Sequence, residues 1–352
     1  MRTGIAHLPL HYGTAPRWLF DRMVQLARQV SLVVVEEYGP HQMLQRLADP
    51  FWFHAFGCLL GFDWHSSGLT TTVCGALKEG LRGLEHDTGL LVAGGKGRTS
   101  RKTPSEIEAF ADRLGFQPAP LVYASRLAAK VDSAAVQDGY QVYHHSFFFT
   151  TDGAWAVVQQ GMNEGNGWAR RYHWLSDAVA DFVCEPHAAV CSDHRGQALN
   201  MVALESDDAR AASVALTQER PEAVVKDYQR ILALPRRHHL AEGDIRPENL
   251  HKVLLSTYER QPQDYEALLG LEGVGPKAVR ALALIAELLY GVQASLRDPA
   301  RFAYAHGGKD GHPYPVDRRT YDQSIEVLRT AVAKAKLGQR EKLEALRRLS
   351  SL

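Results

Sequence analysis

The sequence predicts an α+β protein, with a mixed-sheet N-terminal domain carrying helices, followed by an α-helical domain. Three stretches carry that expectation. Residues 141–162 are aromatic and β-branched on both sides of Asp152-Gly153, a hairpin signature, because Asp tolerates and Gly favours positive φ. Residues 16–37 place Trp18, Leu19, Met23, Leu26 and Val30 at helical spacing behind Pro16. From Asp244 onward the pattern is helix after helix. Composition turns charged and alanine-rich after about Ser206. The expected organisation is therefore 1–205 as an α+β catalytic domain, 206–243 as a helical connector and 244–352 as a helical domain.

The bulk properties exclude little. Lys plus Arg equals Asp plus Glu at 40 each, so any nucleic-acid role must rest on local patches. Four cysteines at irregular spacing point to a reducing compartment rather than a disulfide framework. No apolar run approaches the ~18 residues of a membrane span, and the first residues lack a signal-peptide pattern. The expectation is a cytoplasmic protein with no membrane partner.

The first helix ends its apolar run on Glu36 and Glu37, whose side chains point about 100° apart and form no joint site. Next, GFDWHSSGLTT places Asp63 and His65 on one face of an extended segment. Ser66, Ser67 and Gly68 turn it into a helix from about Thr70, which carries Lys78. A carboxylate and an imidazole there suit a divalent cation or an acid/base pair; capping of the helix and turn is the bland alternative.

A buried strand at Leu90–Ala93 then runs into GGKGRTSRKTP, with Lys96, Arg98, Arg101 and Lys102 around glycines and Pro104 opening a helix. Such a loop can meet phosphate oxygens. It lacks the GxxxxGK[ST] order, so no nucleotide cofactor is expected. Another helix follows from Ser125 to Val136, with Lys130 and Asp132 near its end.

In the hairpin, pairing Thr151 with Ala154 sets Phe149 opposite Ala156, Phe147 opposite Val158 and His145 opposite Gln160. His144, Ser146 and Gln159 then take the other face. Both faces turn polar at the end far from the turn, where Asp138, His144, His145, Gln159, Gln160, Arg170, Arg171 and His173 gather. A strand made only for packing would have continued in Val and Ile, so this end reads as a site. Further on, Cys184, His187, Cys191 and His194 follow a C-x2-H-x3-C-x2-H spacing that fits no common structural zinc pattern.

LEGVGPKAVRAL resembles the helix-hairpin-helix motif of DNA-binding and repair proteins. There Gly273-Val274-Gly275 forms the hairpin, and its N–H groups with Lys277 would face a DNA phosphate. Helix-hairpin-helix DNA glycosylases share a similar hairpin followed by a V-D motif. On that comparison Lys277 matches a Schiff-base lysine and Asp317, in PVDRRTYD, the catalytic aspartate. The interval between them is about double the usual one, and a β-rich region precedes the hairpin.

Taken whole, the chain resembles the domain-of-unknown-function family 763. The stretches that carry the resemblance are LPLHYGTAPRWLFDRM, GFDWHSSGLTT, GGKGR, QDGYQVYHHSFF, VVQQGMNEGNGWARRYHWLS, LEGVGPKAVRALALIAELLYG and HPYPVDRRTYD. It implies a nuclease acting on DNA and carries over no catalytic residues.

The functional expectation is a divalent-metal-dependent deoxyribonuclease, using Mn or Mg and selecting DNA by structure rather than sequence. Asp63, Asp138, His145 and Gln160 are the expected metal ligands, with His65 or His144 as acid/base. Lys78, Arg170 and Arg171 would stabilise charge in the transition state. Lys96, Arg98, Arg170, Arg171, Gly273, Gly275 and Lys277 would contact DNA. A glycosylase/lyase using Lys277 and Asp317 and a non-catalytic DNA-binding protein are the alternatives, and a homodimer is compatible with each.

Overall fold

A computed structural model describes residues 15–61, 67–192, 195–232, 245–300 and 318–350. Four helices come first: α1 (Arg17–Tyr38), α2 (Pro40–Ala48), α3 (Pro50–Leu60) and α4 (Gly68–Leu81), then a single turn, α5 (Glu85–Thr88). Their boundaries follow from local chemistry. Asp49 caps α3, its Oδ1 accepting from the Phe51 and Trp52 amides at 2.8 and 3.3 Å, and Pro50 occupies the first turn. Gly61, at φ 105°, ends the helix in the left-handed region.

Strand β1 (Leu91–Lys96), helices α6 (Thr103–Leu114) and α7 (Ala119–Lys130) and the short β2 (Val136–Gln137) lead to the hairpin of β3 (Gln141–Phe149) and β4 (Trp155–Asn163). After it come β5 (Trp168–Leu175), β6 (Ala189–Cys191) and β7 (Gln197–Asn200). Helices α8 (Asp207–Gln218), α9 (Pro221–Leu232), α10 (Pro247–Arg260), α11 (Tyr265–Gly270) and α12 (Pro276–Tyr290) follow, then β8 (Ser295–Arg297), α13 (Arg318–Lys334) and α14 (Gln339–Ser350). The protein is α+β. Every strand pairing among the described residues is antiparallel, where a mixed sheet was expected.

The principal sheet runs β1-β3-β4-β5-β6, and a small one runs β2-β7-β8. Helices cover the principal sheet on both faces. One apolar cluster joins Phe148, Ala156 and Val158 to α1–α4, and also takes Leu328, Ala331, Val332 and Ala345 from α13 and α14. The other joins Phe147, Phe149, Val157, Tyr172 and Trp174 to α6, α7 and α8–α12. The helical region after 244 thus contributes to two cores, one on each side of the sheet. Burial on both faces explains why β3 and β4 are rich in large apolar residues in consecutive positions.

The hairpin exists where the sequence placed it, but its register differs by one residue. Phe149 pairs with Trp155, Phe147 with Val157, His145 with Gln159 and His144 with Gln160. The reason is the turn. The Thr150 amide bonds Ala154 O at 2.9 Å, and the Gly153 amide bonds Thr150 O at 3.2 Å, with Gly153 at φ 100°. This is a three-residue loop that uses Gly153 in a left-handed conformation, not a two-residue turn on Asp152-Gly153. A one-residue slip moves whole side-chain sets between faces. His145 and Gln159 share the face toward α7, while His144, Ser146 and Gln160 share the face toward α4.

Candidate functional site

The polar end of the hairpin is internal. His144, His145, Gln159, Gln160, Arg170, Arg171 and His173 are all buried, because a helical layer lies over each face. Consecutive residues therefore enter two separate polar networks.

Toward α4, His144 Nε2 lies 3.0 Å from Ser146 Oγ, and Gln160 Nε2 donates to Ser67 O at 2.9 Å and to Tyr143 Oη at 2.5 Å. Tyr143 reaches back because β3 carries a bulge between Val142 and His144. Arg171 lies over the Phe53 ring, with its Nη1 3.4 Å from Thr70 Oγ1 and its Nη2 3.4 Å from His54 Nδ1. Burial, with His145 and Lys96 nearby, pushes the His144 imidazole down to about 3. Burial beside Arg171 holds His173 well below the usual histidine range. These side chains tie the helical layer to the sheet.

Toward α7 the arrangement is different. Ser125 Oγ on α7 lies 2.9 Å from His145 Nε2, and His145 Nδ1 lies 2.9 Å from Gln159 Oε1. Gln159 Nε2 faces two acceptors, Asp132 Oδ2 at 2.5 Å and Ala128 O at 3.3 Å. That fixes the amide orientation, so Gln159 presents its oxygen to His145. Nδ1 must then carry the proton, leaving the Nε2 lone pair to accept from the Ser125 hydroxyl. Asp132 also receives Trp174 Nε1 at 3.0 Å and meets His187 Nε2 at 2.5 Å. It sits in a π-helical turn, Val131–Ala135, that prolongs α7 and turns the carboxylate inward. Burial lowers the pKa of His145, against the opposing hydrogen bond from Gln159 and charge of Asp132, and keeps the ring neutral near pH 7.

Ser125 and His145 form part of the wall of a cavity of about 860 Å³. Its lining brings Arg101, Arg126 and Lys130 together with two acids, Glu108 and Glu272, and with Gly270 and Leu271 from the helical hairpin. In that hairpin Gly273 adopts φ 87° and Val274 is buried as an anchor. Gly275 caps α12 with Pro276 in its first turn, and Lys277 is exposed beside them. Lys130 Nζ approaches Leu271 O at 3.5 Å, Tyr123 Oη donates to Glu266 Oε1 at 2.5 Å, and Gln137 Nε2 donates to Pro276 O at 2.8 Å. The rim of the cavity is thereby fastened to the sheet layer.

The three expected metal ligands among the described residues, Asp138, His145 and Gln160, do not converge. Asp138 Oδ2 accepts from Arg170 Nη1 at 2.8 Å and from Tyr172 Oη at 2.7 Å, and its Oδ1 accepts from the Tyr140 amide at 3.0 Å. Arg170 Nη2 continues to Asp298 at 2.8 Å, so both residues are committed to a buried ion-pair cluster. His145 and Gln160 leave the sheet on opposite faces. Asp63 and His65 lie outside the described residues, as does Asp317. Among the described residues no group of three His, Cys, Asp or Glu could hold a metal ion. His187 is bound to Asp132, and neither Cys184 nor Cys191 is in a disulfide.

Two further expectations are corrected. Lys78, expected at the transition state, donates to Gly94 O and Glu106 Oε2 at 2.7 Å each, and so locks β1 to α4 and α6. Arg170 and Arg171, expected on DNA, are buried. Lys96 and Arg98 are exposed, and the loop they belong to contributes Ser100 and Arg101 to the cavity edge. Ser125 and Asp132 were not singled out as site residues, and Gln159 was placed at the polar end of the hairpin without a role. The signal that could have found Gln159 is the turn sequence Thr150-Thr151-Asp152-Gly153, since the three-residue loop pairs it with His145.

A family model described as "Protein of unknown function (DUF763)" matches residues 4–316. The chain belongs to this family. The DUF763 match spans both networks, the cavity and the helical hairpin, and ends before α13. No curated protein and no solved structure matches the chain. No helix among the described residues of this DUF763 member is long and apolar enough to cross a membrane.

Proposed function

We propose that the protein is a nuclease that hydrolyses DNA phosphodiester bonds, selecting its substrate by structure, with the His145 wall of the cavity as the reaction centre. The observation that carries this reading is a shared lining. A neutral imidazole in contact with a hydroxyl, three cationic side chains and the lip of a helical hairpin all border one cavity. Arg101, Arg126 and Lys130 supply charge for a phosphate, against two acids. The exposed first turn of α12, with Gly273, Gly275 and Lys277, offers N–H groups and a cation to a sugar-phosphate backbone beside the lip, which is the helix-hairpin-helix mode of grip. DNA with unpaired regions suits the site best, because a duplex is stiff and the hydroxyl–imidazole pair lies at the cavity wall rather than on the open surface.

The test is incubation of the full chain with bubble, flap, duplex and single-stranded DNA, each with Mn²⁺, Mg²⁺ or EDTA. The expected result is cutting of substrates with unpaired nucleotides and its loss in His145→Ala. Salt-sensitive binding with no cutting under any condition would leave a DNA-binding protein without catalysis. Base release, or strand scission that depends on Lys277 in EDTA, would instead point to the glycosylase/lyase.

A further inference from the structure

We infer that Ser125 is a nucleophile activated by His145, with Gln159 and Asp132 as positioning residues that hold the imidazole in its reactive tautomer. The inference rests on the phosphodiester reading above for its substrate class, but its geometry stands apart from it. The chain of contacts runs Asp132 Oδ2 to Gln159 Nε2, Gln159 Oε1 to His145 Nδ1, and His145 Nε2 to Ser125 Oγ, at 2.5, 2.9 and 2.9 Å. That is the order nucleophile, base, orienting group, with a carboxylate anchoring the last. The amide of Gln159 cannot turn over without setting its NH2 against an N–H and its oxygen against Asp132, so the tautomer is fixed by two hydrogen bonds rather than one.

A helix serine bonded to a buried histidine serves packing alone in many proteins. Two facts argue for more here. Both side chains line a cavity of about 860 Å³, and the polar row behind them is longer than a structural bond needs. In the proposed step Ser125 Oγ forms a bond to phosphorus while the P–O bond to one nucleotide breaks. The hydroxyl proton passes to His145 Nε2 and then to the departing alkoxide oxygen. Water next bonds to phosphorus, the Oγ–P bond breaks, and a proton from that water returns through His145 to Ser125. Arg101, Arg126 and Lys130 face the anion that forms.

The experiment is labelling of the full chain with a fluorophosphonate probe, followed by peptide mass spectrometry. The expected outcome is one adduct on Ser125, formed at least about a hundredfold more slowly in His145→Ala and absent from Ser125→Ala. A Gln159→Met variant, with a folded circular-dichroism spectrum, should shift the pH profile of labelling, which a purely structural role would leave in place. Should His145→Ala fail to fold, Ser125→Cys takes its place, with iodoacetamide alkylation expected at Cys rates well above those of a buried thiol. Absence of any Ser125 adduct, or DNA cutting by Ser125→Ala at the wild-type rate, overturns the inference. Adduct formation without DNA cutting retains the nucleophile and overturns the nuclease reading instead.

Discussion

His144 and His145 are neighbours in the chain and occupy opposite sides of the sheet: one imidazole meets Ser146 at 3.0 Å beneath α4, the other meets Ser125 at 2.9 Å beneath α7. Each is neutral for the same reason, burial, and His145 also lines the 860 Å³ cavity. The pair divides one sequence motif between scaffold and site.

That burial predicts a pH dependence of stability. His144, His145 and His173 have folded-state pKa values below the ordinary 6.5, so the unfolded chain binds protons that the folded chain does not. Stability from this source is complete above about pH 6.5 and declines as pH falls below it, by up to about 1.4 kcal/mol per unit for each histidine. Urea unfolding at roughly pH 7.5 and pH 5 measures it, and an unchanged midpoint would show that these rings take protons while folded.

Arg170 lies between two carboxylates with 1% of its side chain exposed. Burial works against its charge, but Asp138, Tyr172 and Asp298 outweigh that and raise its pKa. Arg170→Met strands both acids, and a loss of about 3–5 kcal/mol is expected. Adding Asp138→Asn to that variant should recover part of it; no recovery in denaturant titrations would contradict the pairing.

Gly94, opposite Ser146 in the β1–β3 pairing, leaves no room for a side chain. At φ +85°, an added Cβ would fall 2.2 Å from His145 O and 2.6 Å from Thr103 Oγ1. Gly94→Ala is expected to cost about 3 kcal/mol and to disturb the Lys78–Glu106 lock on the same residue. A melting temperature equal to wild type would rule out this close approach.

Lys277 tests the hairpin grip. Lys277→Ala should weaken DNA binding regardless of base sequence and reduce the slope of log K against log salt by about 0.9, one phosphate contact. Fluorescence anisotropy over a salt series gives the slope directly, and an identical slope would place the phosphate elsewhere.

The elements themselves were readable where periodicity is local. The helix behind Pro16, the strand before the Gly-rich loop, the turn around Asp152 and the hairpin at Gly273 all lie where their residues put them. What could not be read is the closing of helices over both faces. That depends on residues far apart in the chain, such as Leu328 packing in the same cluster as Val158. The polar end of the hairpin therefore looked open and is enclosed. The turn decided the rest: one additional loop residue exchanged Gln160 for Gln159 beside His145, and so moved the candidate chemistry from one network to the other.

The last two described helices return to the first ones, where Lys334 pairs with Glu37 and Leu328, Ala331 and Val332 share a cluster with Met23, Ala27 and Val30. A ribosome releases α1 long before it makes α13. Until then the nascent α1–α4 layer has an uncovered greasy flank, which gives a chaperone a binding surface and a protease a window. Maturation of this half of the molecule is a late event, timed by the synthesis of α13 and α14.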